Sequence, residues 1–298
     1  MLHVMPNDTM VKVFGIEKGN DLILDAGFPA IDISFFTGYD YIFENDFKKR
    51  ISEIRKRVND RGGVFRQAHA PFGGGFEHYS KETVKQLPRV FEACGLFGVK
   101  NVVVHPLQKG RYYGNEKYLF EINMEFYGKL ARYAKDSGVK IAIENMWQVH
   151  PVTGRICDDV CADPNELALY YDTLGDSEAF TVCLDIGHVA LCGREPEDAV
   201  RILGNERLGA LHVHDVDYIE DCHTLPGTRR INFDKVCMAL AEIDYKGDFT
   251  LEADSFLIGY PDDFKITALG FMAQTAKYYA EKTEGYRAGY PTKKEERK

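Results

Sequence analysis

Short, continuously apolar runs recur along the chain, and between them apolar positions return at three- and four-residue steps. The first pattern is that of strands buried on both faces; the second is that of amphipathic helices. Eight runs qualify as strands: 11–15, 30–34, 64–69, 101–105, 140–144, 180–185, 208–214 and 248–252. Within 43–61, Phe47, Ile51, Ile54 and Val58 fall on one helical face with basic residues between them. Gly27, Gly98, Gly138 and Gly247 each precede a strand by a few residues, where a helix C-cap belongs. Pro196 with Glu195, Glu197 and Asp198 reads as a helix start and Gly204 as its stop, while Asn232 reads as an N-cap. Eight strands alternating with helices predict a closed (β/α)8 barrel, with an open doubly wound sheet as the alternative. No GxGxxG follows the first strand, which counts against the open sheet.

The strand ends carry the chemistry. His69, His105, Glu144, Asp185, His212 and Glu252 close six of the runs or lie within them near the end, at intervals of 36, 39, 41, 27 and 40 residues. In a parallel barrel all C-terminal strand ends share one face, so these distant positions converge on one pocket. Singly, such a Glu or Asp often caps the next helix, and such a His is often only hydrogen-bonded structure. Glu144, Asp185, His212 and Glu252 on four successive strands instead point to a divalent ion: Mn²⁺, Mg²⁺, Co²⁺ or Zn²⁺. Without a cation these acceptors would repel one another and some would have to protonate. His188 in LDIGH, and Asp221 and His223 in EDCH, add further candidate ligands beside His69 and His105, enough for two or three ions. His214 is ambiguous, since it could point outward or orient a neighbour.

Composition fits one soluble enzyme domain. The chain has 298 residues, 45% of them hydrophobic, a formal charge of −9 and a pI near 5.5. That disfavours a broad basic surface for nucleic acid. The start MLHVMPNDTM has neither a basic region nor an apolar stretch of signal-peptide type, and no run reaches membrane-spanning length. Seven cysteines, an odd number, suit a reduced cytoplasmic setting; CDDVC lacks the second pair of a zinc knuckle. The barrel is expected over 1–285, with 286–298 as a polar, flexible tail. A homo-oligomer is compatible with this composition.

The ordered set HAPF, VVVHP, IAIEN, LDIGH, LHVHD, DCHTLPG and LEAD resembles the xylose isomerase-like barrel superfamily, and within it the sugar phosphate isomerase/epimerase group. The resemblance covers nearly the whole chain. It implies a metal held by Glu144, Asp185, His212 and Glu252 and a small sugar or sugar phosphate as substrate. It also implies Glu144 and Glu252 as acid and base on opposite faces of the sugar, with His188 on substrate oxygens. The reaction expected is proton transfer through a metal-stabilised enediolate, giving isomerisation or epimerisation. Trp147 and Phe72 could wall off the substrate, and Arg229 in PGTRR could bind an anionic group on it. Ketose 3-epimerases carry a second Glu where this chain has His150, and an Arg where it has Tyr218.

A rival resemblance is to endonuclease IV, a zinc phosphodiesterase acting on abasic DNA. His69, His105, Glu144, Asp185, His188, His212, Asp221, His223 and Glu252 match its nine ligands for three zinc ions. The loop PFGGGFEHYS has aromatic residues but no Arg or Lys, unlike a backbone-gripping loop, and ENMWQVHP differs from that family. A non-catalytic metal- or sugar-binding barrel is the third reading.

Overall fold

A computed structural model describes residues 1–72 and 80–289. Phe76 and Tyr79 of the aromatic loop, and 290–298 of the terminal segment, lie outside the described residues. Among those described, the strands are β1 (His3–Pro6), β2 (Ala30–Ser34), β3 (Val64–His69), β4 (Asn101–Val104), β5 (Lys140–Glu144), β6 (Trp147–Val149), β7 (Ile156–Asp158), β8 (Phe180–Asp185), β9 (Leu208–His212) and β10 (Phe249–Thr250). The helices are α1 (Asp8–Phe14), α2 (Ile16–Asp25), α3 (Phe47–Asp60), α4 (Lys81–Phe97), α5 (Glu116–Ser137), α6 (Pro164–Leu174), α7 (Ile186–Leu191), α8 (Pro196–Arg207), α9 (Phe233–Glu242), α10 (Ser255–Ile258) and α11 (Asp262–Gly289).

Eight strands form one parallel sheet in the order β10-β1-β2-β3-β4-β5-β8-β9. A parallel bridge between Val213 and Leu251 joins its two ends, so the sheet curls into the expected (β/α)8 barrel. α11 carries the first four residues of the polar terminal segment. Among the described residues no helix is long and apolar enough to cross a membrane.

The period of two along each strand sorts the side chains. Val102, Val104, Ile141, Ile143, Val182, Leu184 and Leu211 are fully buried in the main apolar core. Their alternates Val103, Ala142, Cys183 and Ala210 form a separate small cluster inside the barrel. Two residues beyond each of these four stand His105, Glu144, Asp185 and His212. The alternation that fills the barrel with small residues therefore delivers the chelating residues to its rim.

One strand was expected in the wrong place. Residues 11–15 belong to α1 and the turn after it, and the first strand is His3–Pro6. Val11 and Val13 suggested β-structure, but α1 packs against α2 through Gly19, where a Cβ would lie 2.8 Å from the Met10 carbonyl oxygen. The close approach that only glycine permits makes this a helical hairpin. Gly247 is likewise no helix cap: α9 ends at Glu242, and Asp244 takes the positive φ of 56°. Gly98 and Gly138 do cap α4 and α5 in the left-handed conformation, and Asn232 caps α9 by accepting from the Lys235 amide.

Candidate metal centre

At the C-terminal rim, ligand atoms of Glu144, Asp185, His212 and Glu252 all lie within 4.8 Å of one another. His212 Nδ1 stands 2.8 Å from Glu144 Oε1 and 3.1 Å from Glu252 Oε2. Glu144, Asp185 and His212 are almost wholly buried, whereas the Glu252 side chain keeps 19% exposure. Burial disfavours a charged Glu144, yet His212 and His105 hold its pKa well below the usual range. Burial also opposes charge on His212, but Cys183, Glu252 and Glu144 raise its pKa well above 6.5.

A second group, His69, His105 and Glu144, adjoins the first. His69 Nε2 lies 3.0 Å from His105 Nε2, and His105 Nε2 lies 2.9 Å from Glu144 Oε2. The third group is His188, His214, Asp221 and His223. His223 Nε2 is 3.2 Å and His188 Nε2 3.8 Å from Asp221 Oδ2. Burial works against a charged His223, but Asp221 and Glu252 carry its pKa up to about 10. His188 is likewise raised, against burial, by Asp185 and Asp221.

Backbone carbonyls orient three of these rings. Nδ1 of His69 meets Ala70 O at 2.8 Å, Nδ1 of His188 meets Asn145 O at 2.8 Å, and Nδ1 of His223 meets Glu252 O at 3.1 Å. With Nδ1–H donated to a carbonyl, each ring turns its Nε2 into the site, the arrangement that prepares an imidazole for a cation. The first group thus fits a divalent ion by donor type and burial, and the second and third also by ring orientation.

Asp185 does double work. Its Oδ1 accepts from the His188 amide at 2.6 Å, capping α7, and its carboxylate meets His214 Nε2 at 3.0 and 3.2 Å. His214, ambiguous in sequence, faces inward and stacks on His223 at 4.1 Å. It has room because residue 187 is glycine: a Cβ there would come within 2.1 Å of the His214 ring.

His69, His105, Glu144, His188, His212, Asp221, His223 and Glu252 border a cavity of about 560 Å³, a size suited to a small molecule. Trp147 and Phe72 both line it. Trp147 is carried by the antiparallel pair β6–β7, which the sequence reading did not foresee, and donates to Asp221 Oδ2 at 3.2 Å. The Phe72 ring lies 4.3 Å from that of His105. Arg229 is exposed and is not among the lining residues; its amide donates to Asp215.

Sequence reasoning passed over several polar residues here. Asp32 on β2 lines the cavity at 1% exposure, and its Oδ2 accepts from Gln67 Nε2 at 2.9 Å. Gln108, 5% exposed, donates to Asp159 Oδ2 at 2.6 Å. Asn145 pairs with the Asp185 backbone through both its amide atoms, at 3.0 and 2.8 Å. A charged residue amid the apolar run AIDIS was the available signal for Asp32; Gln108 and Asn145 offered none.

The sequence model of the xylose isomerase-like TIM barrel family matches residues 21–268. The uncharacterized protein MJ1311 of Methanocaldococcus jannaschii is 30% identical over 214 residues, 68% of each chain. Among solved structures, a D-tagatose 3-epimerase-like protein superposes with a TM-score of 0.73 at 21% identity, covering 97% of this chain and 99% of its own. A D-psicose 3-epimerase studied in the presence of D-fructose gives 0.68 at 18% identity, covering 96% and 99%. At such identities the likeness is one of fold.

Proposed function

The chain belongs to the xylose isomerase-like TIM barrel family, and we propose that it is a divalent-metal-dependent isomerase or epimerase acting on a small polyhydroxy carbonyl compound. The observation that carries this is the gathering of Glu144, Asp185, His212 and Glu252 at one end of a sugar-sized cavity. These four residues would hold the ion, which supplies polarisation of a carbonyl oxygen and so acidifies the neighbouring C–H. Glu252 is the carboxylate of the four that reaches furthest toward solvent, and it takes the role of base at that carbon. Glu144 takes the role of the second proton carrier. His188, oriented by the Asn145 carbonyl, presents Nε2 to substrate oxygens. Trp147 and Phe72 limit the access of water to the reacting carbon.

The similar solved structures include sugar epimerases, which agrees with this chemistry. The metal is Mn²⁺, Co²⁺, Mg²⁺ or Zn²⁺ by donor type. A second reading, phosphodiester hydrolysis with up to three zinc ions, is favoured by the second and third groups of donors. It is opposed by the lining, which among the described residues includes no Lys or Arg to hold a phosphate backbone.

The test is Glu252→Gln. It should abolish turnover of a responsive ketose and lower bound metal; full activity in the variant would remove Glu252 from the reaction.

A further inference from the structure

We infer that the substrate is a neutral, unphosphorylated polyol-carbonyl compound, whose hydroxyl groups donate to Asp32 Oδ1 and Gln108 Oε1. This assignment rests on the isomerase reading for the reaction, but on separate residues for the ligand. Both side chains line the cavity and are at least nine-tenths buried. Among the described residues, neither Asp32 Oδ1 nor Gln108 Oε1 has a hydrogen-bond partner. Buried acceptors left in that state are costly, and a bound donor relieves them. A sugar hydroxyl donates; a phosphate ester at neutral pH offers acceptors and charge.

The surrounding field points the same way. Asp8, Asp159 and Asp254 also line the cavity. Segment 73–79, outside the described residues, contains neither Lys nor Arg in its sequence. Arg229, the sequence candidate for an anionic substrate group, is not among the lining residues. Beyond the bound ion and the histidines that hold it, a phosphate in this cavity would meet carboxylates with no Lys or Arg among the described lining residues to offset them.

The experiment uses the full chain loaded with Mn²⁺, with D-fructose and D-fructose 6-phosphate as probes. Binding is followed by titration calorimetry, and proton transfer separately by deuterium uptake from D₂O. The free sugar should bind at least about tenfold more tightly than its phosphate, roughly 1.4 kcal/mol. Asp32→Asn and Gln108→Met should each weaken free-sugar binding several-fold, with bound Mn²⁺ and melting temperature showing that the variants are folded. Preference for the phosphate, binding of neither probe, or unchanged binding in both variants would overturn the assignment. Binding with the expected preference but without deuterium uptake would instead remove the isomerase reading and leave the assignment standing.

Discussion

Asp32→Asn should stabilise the metal-free protein at pH 8, and only above the acidic range. Burial, partly offset by His212 and His69, lifts the Asp32 carboxyl from the usual 3.8 to about 6. A raised carboxyl pKa means that the folded state prefers the protonated form. Below about pH 3.8 the group is protonated in both states and imposes no penalty. Between about 3.8 and 6 the unfolded chain ionises while the folded chain resists, so the parent protein loses stability as pH rises. Above about 6 the loss is complete. The displacement corresponds to about 3 kcal/mol at most. Asn retains an oxygen for Gln67 Nε2 and carries no charge. For a chain of this length, that is a rise in melting temperature on the order of 5 °C at pH 8, shrinking toward zero near pH 4. Melting curves in EDTA from pH 4 to 8 measure it. An equal shift at every pH would mean that charge is not the cause. A less stable variant at pH 8 would refute the reasoning outright. Coupled with weaker sugar binding, the expected result marks Asp32 as a residue kept for function at a cost in stability.

Three further outcomes are expected. Because His188, His212 and His223 hold their protons above neutral pH in the ion-free chain, divalent ions should displace protons and bind more tightly as pH rises. Calorimetry in buffers of different ionisation enthalpy should show about one proton or more per ion, and none would contradict the ring assignments. Asp221→Ala should leave the ion at Glu144, Asp185, His212 and Glu252 bound and keep proton exchange at a sugar carbon within about tenfold; complete loss of exchange would make the His188–His223 group part of the reaction. Trp147→Ala should increase by-product formation by admitting water, and an unchanged product distribution would assign Trp147 to packing alone.

The barrel was legible because seven of its eight strands are short apolar runs with stops at both ends, and the strand-end residues followed from the period of two. Ala30–Ser34, Val64–His69, Lys140–Glu144 and Phe180–Asp185 fall where the pattern put them. The four residues of β1, HVMP, contain a His and a Pro and give too little pattern, whereas VKVFG offers β-branched residues that a tight helix–helix contact overrides. The β6–β7 pair was missed because its polar-interrupted strands have only three residues each. Metal-type donors announce themselves by residue type. Gln108 and Asn145 do not, and the single charge of Asp32 within AIDIS gains meaning only when burial and missing or specific partners are known. Arg229 shows the converse: a suggestive charge beside a motif that the fold leaves in solvent.

The most direct test of the whole account is deuterium uptake by a panel of free ketoses incubated in D₂O with the Mn²⁺- or Co²⁺-loaded protein, read by NMR. Deuterium should enter at the carbon beside the carbonyl of at least one sugar, and the uptake should vanish in Glu252→Gln. Absence of uptake across the panel, together with cleavage of an abasic oligonucleotide by the zinc-loaded protein, would contradict proton transfer as the work of this site.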